Sequence, residues 1–493
     1  MSSNEFTSVI RSGIWIYLIS FSNSLFGFLF WFIISSISGP STVGYVSAIV
    51  SLSSLISSGL SFGVPVSMVK WIGQYRDEGD RVRGYFWTSL SFMLLAYTLV
   101  SLPLLYLGLK GINLMNYEAE GLVIISAFLI SSISSAFASL FTGLIDTFPY
   151  LLASIAGNLA KLVVATYLVA EGFGWIGASL GYLMVNLVVD VAGITYAFRR
   201  ISPPLISSNC LADLLRGGLP IWLPSIVAAI GQQLAVISLF GYTGAYESGL
   251  FYVAMTLSSF VTGMGSSLMS MMLPYLSGLE EGREDASSRG LRISLSLTLP
   301  IVGTTLIFPD KILSLLGSEY SSAWAELILM TVSNTLLLIS GSITNLLYSR
   351  DMFTELLRIG LAMNVPRVVL YAVLVPRLGS IGAALSYLVG SMIGIIFTLK
   401  ESKRVNFLIH WGVISKILII ILLVSPLALP LRYSMVWGVG VLLAPALSVL
   451  GLMRARVMEL DDIVELGRAL IPGRYKRTAY KTIKPFLDVI YGL

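Results

Sequence analysis

The sequence predicts an all-α membrane protein of about 14 transmembrane helices. They form two six-helix lobes related by a parallel internal repeat, with two further C-terminal helices. Three observations predict this: long uncharged stretches recur along the chain, basic residues alternate between its loops, and motifs recur about 205 residues apart.

Composition carries the first observation. Of 493 residues, 56% are hydrophobic and 12% charged, against roughly 25% charged in an average soluble domain. Residues 14–69 hold no charged side chain, room for two crossings of roughly 20 residues each. A soluble helix keeps a polar face, which runs of this kind lack. Stretches bounded by charge or by Gly/Pro turns place spans near 13–37, 43–69, 85–109, 119–142, 150–170, 174–198, 217–241, 246–275, 291–309, 323–347, 355–376, 379–399, 409–429 and 433–453. Pro65, Pro220, Pro224, Pro274, Pro300 and Pro366 fall inside them, where each removes a backbone hydrogen bond and favours a kink. Met1 to Ser12 is short and polar, and no small-residue cleavage site closes the first apolar stretch. The first span is therefore expected to stay as a signal anchor. Lone Cys210 excludes an intramolecular disulfide, and lone His410 argues against a histidine metal site. No Gly-Lys-Ser/Thr phosphate loop is present, and no cofactor is expected.

Basic residues orient the bundle. With the N-terminus cytoplasmic, the inside segments collect Arg11; Lys70, Arg76, Arg81, Arg83; Arg199, Arg200, Arg216; Arg283, Arg289, Arg292; Arg350, Arg358; Lys400, Lys403, Arg404; and eight cations after the last span, 24 in all. The outside loops hold four, Lys110, Lys311, Arg377 and Arg432. This bias is what the positive-inside rule predicts for a multi-pass protein of the cytoplasmic membrane with both termini inside. The outer loops are short, as at Glu171-Gly172-Phe173-Gly174 and Leu378-Gly379. That counts against an integral glycosyltransferase, whose active site needs sizeable outer loops bearing carboxylates.

The repeat divides the chain. Gly13 to Ser20 matches Gly218 to Ser225 at four of eight positions, and Gly44 matches Gly249. Asn158-x-x-Lys161 matches Asn364-x-x-Arg367, and Gly177 to Leu183 matches Gly382 to Leu388 at five of seven. Six spans per unit is an even number, so both units enter the membrane from the same side. The expected parts are an N-lobe over 1–200, a C-lobe over 201–404, spans 13 and 14 over 405–453, and a cytoplasmic amphipathic basic tail over 454–493.

Ser38-Gly39-Pro40-Ser-Thr-Val-Gly44-Tyr45, then Ser58-Gly59-Leu60-Ser-Phe-Gly-Val-Pro65, then Lys70-Trp71-Ile-Gly73-Gln74-Tyr75-Arg-Asp-Glu-Gly79-Asp80, follow one another in fixed order. This run, with the tail from Leu460 to Pro472, resembles the polysaccharide-export branch of the multidrug/oligosaccharidyl-lipid/polysaccharide flippase superfamily. Ser38 stands where Leu is usual and Val43 where an aromatic is usual. The resemblance implies a flippase that moves polyprenyl-diphosphate-linked saccharides to the outer leaflet by alternating access, for surface polysaccharide or glycoprotein assembly.

Ionisable residues deep in a span cost about 2.5–3.5 kcal/mol each and need a reason. Lys161, Arg367 and Asp190 are the deep ones. Lys161 and Arg367 occupy matching repeat positions and suit the diphosphate of a carrier lipid, Arg as a two-pronged donor and Lys as a point charge. Asn158 and Asn364 lie one turn earlier on the same faces as candidate sugar or phosphate donors. Gln232, Gln233 and Asn23 sit mid-span and serve either the transport path or interhelical hydrogen bonds. Asp190 is either an ion or proton site or a structural partner of Lys161.

Beyond Leu460 an apolar stripe is followed by Arg474, Lys476, Arg477, Lys481 and Lys484 among tyrosines, which suits a helix lying on anionic lipids rather than nucleic acid. The protein is expected to act as a monomer. Two transport readings compete. An ion-coupled multidrug exporter of the same superfamily would favour carboxylates in spans one and two, which have none. A 14-span major-facilitator exporter would carry its extra spans between the lobes rather than after them. Reporter fusions after residues 112, 173, 243 and 378 should read outside, and after 80, 205 and 285 inside; two reversals would overturn this topology.

Overall fold

A backbone in hydrocarbon has no water to bond, so each N–H and C=O must be satisfied within its own segment, and helices result. The computed structural model describes residues 3–457 apart from 115, 278, 280, 406, 408 and 435. In order its helices are α1 (Ser3–Leu60), α2 (Val64–Gln74), α3 (Gly79–Leu109), α4 (Ala119–Ser131), α5 (Ser134–Gly143), α6 (Phe148–Leu168), α7 (Gly174–Arg200) and α8 (Ser208–Thr243). There follow α9 (Ala245–Ser277), α10 (Arg283–Ile307), α11 (Pro309–Ser314), α12 (Trp324–Tyr348), α13 (Phe353–Ser402), α14 (Trp411–Val424), α15 (Leu429–Arg432) and α16 (Trp437–Arg454). The tail beyond 457 lies outside the described residues.

Ten described stretches are long and apolar enough to cross a membrane. Three of them run 43, 53 and 53 residues, about 65–80 Å at 1.5 Å per residue and roughly twice the apolar thickness of a bilayer. Each of the three is a pair of helices meeting at a glycine. Gly39 has φ 74° and ψ 179°, Gly174 has φ 51° and ψ −131°, and Gly379 has φ 57° and ψ −135°. A Cβ makes such combinations costly, so glycine is the residue that turns here. Gly244, between α8 and α9, has φ 88° and ψ −171°. Gly39 and Gly244 stand 205 residues apart, as do Gly174 and Gly379, and each pair adopts nearly the same angles. The sequence repeat therefore recurs as a repeat of backbone conformation.

Two expected spans, 119–142 and 409–429, are found as the apolar stretches Ala119–Gly143 and Trp411–Arg432 but are interrupted inside, and a third, 43–69, is cut short. The stretch expected over 119–142 is split into α4 and α5. The Ser131 and Ser132 hydroxyls donate to the Phe128 carbonyl at 3.0 and 2.8 Å, and that of Ser135 donates to the Ser132 carbonyl at 2.8 Å, competing with the helical ladder. The stretch expected over 43–69 ends at Leu60. Gly63 turns left-handed, with φ 72°, and Pro65 falls in the first turn of α2, where its missing N–H costs nothing. The stretch expected over 409–429 is divided into α14, a 3-10 turn over Ser425–Ala428, and α15, each of the last two with proline near its start.

The chain forms two compact units, Met1–Val253 with Asn364–Ser386, and Ala254–Met363 with Tyr387–Leu493. In the first, α6 and α7 form a hairpin, and a core of Met68, Phe86, Phe137, Leu140 and Phe141 is closed to solvent. Gly44 and Gly249 pack backbone on backbone there: a Cβ on Gly44 would strike the Ala245 carbonyl, and one on Gly249 the Pro40 carbonyl. Since Pro40 and Ala245 are also 205 residues apart, the same contact is made twice. In the second unit, α10, α14 and α16 share a core around Leu295, Ile417 and Leu452. Leu99, Val163 and Leu442, among many others, are turned outward, as a lipid-facing surface requires.

Gly39→Ala and Gly244→Ala should each lower thermal stability by about 1–3 kcal/mol, and by similar amounts, measured by melting in detergent. Insensitivity at either position would refute the shared turn geometry.

Candidate functional site

All eight side chains singled out from the sequence lie in the first unit, on α1, α6, α7, α8 and α13. On α6, Lys161 is 4% exposed. Its ammonium lies 5.5 Å from the ring centre of Phe30 on α1 and 5.2 Å from that of Tyr182 on α7. The cage continues outward: Phe30 meets Trp31 edge-on at 4.9 Å and Tyr182 at 5.2 Å, and Trp31 lies 4.6 Å from Tyr252. Desolvated cation–π contacts contribute about 2 kcal/mol each, so two of them roughly offset the cost of about 2.5–3.5 kcal/mol for a cation in the bilayer.

One turn earlier on α6, the Asn158 amide donates to the Asn23 side-chain oxygen at 2.7 Å and to the Ser154 carbonyl at 2.9 Å. The Ser154 hydroxyl donates to the same Asn23 oxygen at 2.9 Å. Asn23 is itself exposed. It ties α1 to α6 through its oxygen.

The matching contact of the second repeat is built on α13 and α8. Arg367 is 2% exposed, and its Nη1 donates to the Asn364 side-chain oxygen at 3.1 Å. Asn364 packs onto Gly231 of α8, where any side chain would collide with its carboxamide. The Tyr371 hydroxyl donates to the Gly231 carbonyl at 2.9 Å. Gln232 and Gln233 follow directly on α8, the first exposed and the second half-buried. In both repeats an asparagine of the fifth span is thus packed against the first span, with a buried cation one turn further on.

Asp190 on α7 is 7% exposed, and its Oδ1 has no hydrogen-bond partner. Among the described residues it forms no ion pair with Lys161, whose neighbours are rings. The aromatic cage was not found from sequence, because Phe30, Tyr182 and Tyr252 come from three helices and no spacing links them. A buried carboxylate was also missed: Glu326, 3% exposed at the start of α12 in the second unit. No group of three or more His, Cys, Asp or Glu that could hold a metal occurs among the described residues.

Residues 9–280 match the family described as "Polysaccharide biosynthesis protein". Among curated proteins, the chain is similar to the "Probable flippase AglR" of Haloferax volcanii, 23% identical over 372 residues, which covers 70% of this chain and 76% of that one. Among solved structures, it is similar to the lipid II flippase MurJ in an inward closed conformation, at 14% identity and a TM-score of 0.75, covering 92% of this chain and all of that one. An inward-facing multidrug resistance MATE transporter of the MOP superfamily aligns at 16% identity and a TM-score of 0.61, over 80% and 99% of the two chains. These likenesses show the fold.

If the rings hold Lys161, a double-mutant cycle between Lys161→Met and Tyr182→Leu should give a coupling of about 2 kcal/mol in thermal stability. Lys161→Ala and Asp190→Ala should combine additively. Rescue of the first by the second would restore the ion-pair role.

Proposed function

The chain belongs to the polysaccharide biosynthesis protein family, and we propose that it is a flippase for polyprenyl-diphosphate-linked saccharides. It carries them from the cytoplasmic to the outer leaflet by alternating access, and it is a transporter rather than an enzyme. The observation that carries the reading is the pair of buried cations at matching repeat positions, Lys161 and Arg367. A diphosphate crossing a low-dielectric interior needs compensating positive charge at depth. Arg367 supplies a two-pronged donor and Lys161 a point charge. Asn158, Asn364, Asn23, Gln232 and Gln233 supply amides for saccharide hydroxyls once the helices that now share them move apart. In this structure the rings of Phe30 and Tyr182 lie against the ammonium, so admission of the diphosphate exchanges two cation–π contacts for an ion pair.

The 24-to-4 distribution of cations supports 14 crossings with both termini cytoplasmic. The lobes span 1–200 and 201–404, followed by two added helices and a basic tail on anionic lipid, and the protein works as a monomer. A multidrug exporter is the second reading. The unpartnered Oδ1 of Asp190 favours it, as a place for a coupling proton or sodium ion. The two part on charge: a cationic drug is repelled by what attracts a diphosphate.

Deleting the gene should leave saccharide-lipid facing the cytoplasm and reduce surface glycan. Unchanged glycan with raised sensitivity to cationic drugs would favour the exporter. Arg367→Ala should abolish translocation of fluorescent saccharide-lipid in proteoliposomes at unchanged membrane abundance, while Arg367→Lys keeps a fraction of it. Wild-type transport by Arg367→Ala would remove that residue from the site.

A further inference from the structure

A second cationic site lies in the first unit, away from the buried pair. Where the α2–α3 turn, the α5–α6 turn and the end of α7 come together, a cavity of about 390 Å³ is lined by Arg76, Arg83 and Arg200, with Asp146, Tyr196 and Ser202 among the other groups. The one lining carboxylate is engaged, because Asp146 accepts a hydrogen bond from the Tyr196 hydroxyl at 2.7 Å. Arg200 lies over the Tyr196 ring at 5.8 Å, and Arg83 is paired with Asp80. Among the described residues neither Arg76 nor Arg200 forms an ion pair, so two guanidinium groups are left to face an anion.

The surroundings specify what carries that anion. Trp87 donates to the Ile201 carbonyl at 2.7 Å and packs against Phe198 with ring centres 5.2 Å apart, fixing the end of α7 against α3. Leu205 packs beside Gly84, next to Arg83. Phe198, Leu205 and Ile206 are 54%, 44% and 66% exposed, an apolar rim that flanks the lining residues Arg200, Ile201 and Ser202 along the chain. Free phosphate gains nothing from such a rim, whereas an acyl or prenyl chain does.

We propose that this cavity binds a lipid-borne phosphate, held by Arg76 and Arg200 with its hydrocarbon on Phe198, Leu205 and Ile206. The site rests on the orientation proposed above, which puts these helix ends at the anionic cytoplasmic leaflet. Two lipids share the chemistry, a resident anionic phospholipid and the polyprenyl diphosphate waiting to be carried. Arg side chains suit either, since their fork matches phosphate oxygens.

Native mass spectrometry of the full chain in neutral detergent tests it, with phosphatidylglycerol, a polyprenyl diphosphate and inorganic pyrophosphate as separate titrants. Arg76→Gln/Arg200→Gln should weaken lipid binding roughly tenfold or more, while Arg76→Lys/Arg200→Lys keeps most of it and pyrophosphate binds weakly throughout. A loss confined to phosphatidylglycerol assigns the site to a resident lipid, and one confined to the polyprenyl diphosphate makes it a loading station for substrate. Equal lipid binding by wild type and a glutamine variant of unchanged melting temperature overturns the site. Pyrophosphate binding as tight as either lipid overturns its lipid character. Should the double glutamine variant misfold, Arg76→Gln alone, on an exposed side chain, carries the test with a several-fold loss expected. Transport is not read here, so failure of the flippase reading and failure of this one are separable.

Discussion

The absence of water around most of this chain decides how it can turn. A loop in hydrocarbon would strand its amide groups, so a long apolar stretch stays helical until it leaves the hydrocarbon, where a suitable residue can reverse it within one or two positions. Gly39, Gly174, Gly244 and Gly379 perform that reversal, at backbone angles that side chains disfavour. Because the turns cost almost no length, the helices on either side are held next to each other. That is why α6 and α7 can press Asn158, Lys161 and Tyr182 into one neighbourhood. The site follows from the turns rather than from any loop that could have been grafted on.

Much of this was legible in the sequence, and the parts that were not share a cause. The hairpin of α6 and α7 was expected over 150–170 and 174–198 and is found at Phe148–Leu168 and Gly174–Arg200, since charge and glycine bound it sharply. The break between α4 and α5 was hidden, because serine hydroxyls redirect carbonyl bonds without changing the apolar character of the run. By sequence Pro65 suits a kink within a span, and in the structure it opens α2, a choice that depends on the turn before it. Lys161 and Arg367 were found from their depth and their repeat spacing. What surrounds each was not found, since a ring from α1, a ring from α7 and a glycine on α8 meet only once the chain is folded.

The two cations are also supported unequally, which the repeat alone would not suggest. Arg367 donates to the Asn364 side-chain oxygen on its own helix, and that carboxamide sits where Gly231 has made room. Lys161 is held by rings from two other helices, so its surroundings change whenever α1 or α7 shifts. The duplicated scaffold thus sets its two cations in different surroundings, a side-chain amide beside one and two aromatic rings beside the other.

The doubled contact of Gly44 on Ala245 and Gly249 on Pro40 has a consequence for descent. Each half presents to the other the same small surface that it receives, as the two partners of an isologous dimer do. A half-length chain bearing one copy of that turn and one such glycine would be self-complementary across a two-fold axis. Two copies would make that contact twice, once in each direction. Joining the copies in one polypeptide would leave the interface as it was and free each half to diverge, which is how a lysine and an arginine could come to stand at what was once a single position.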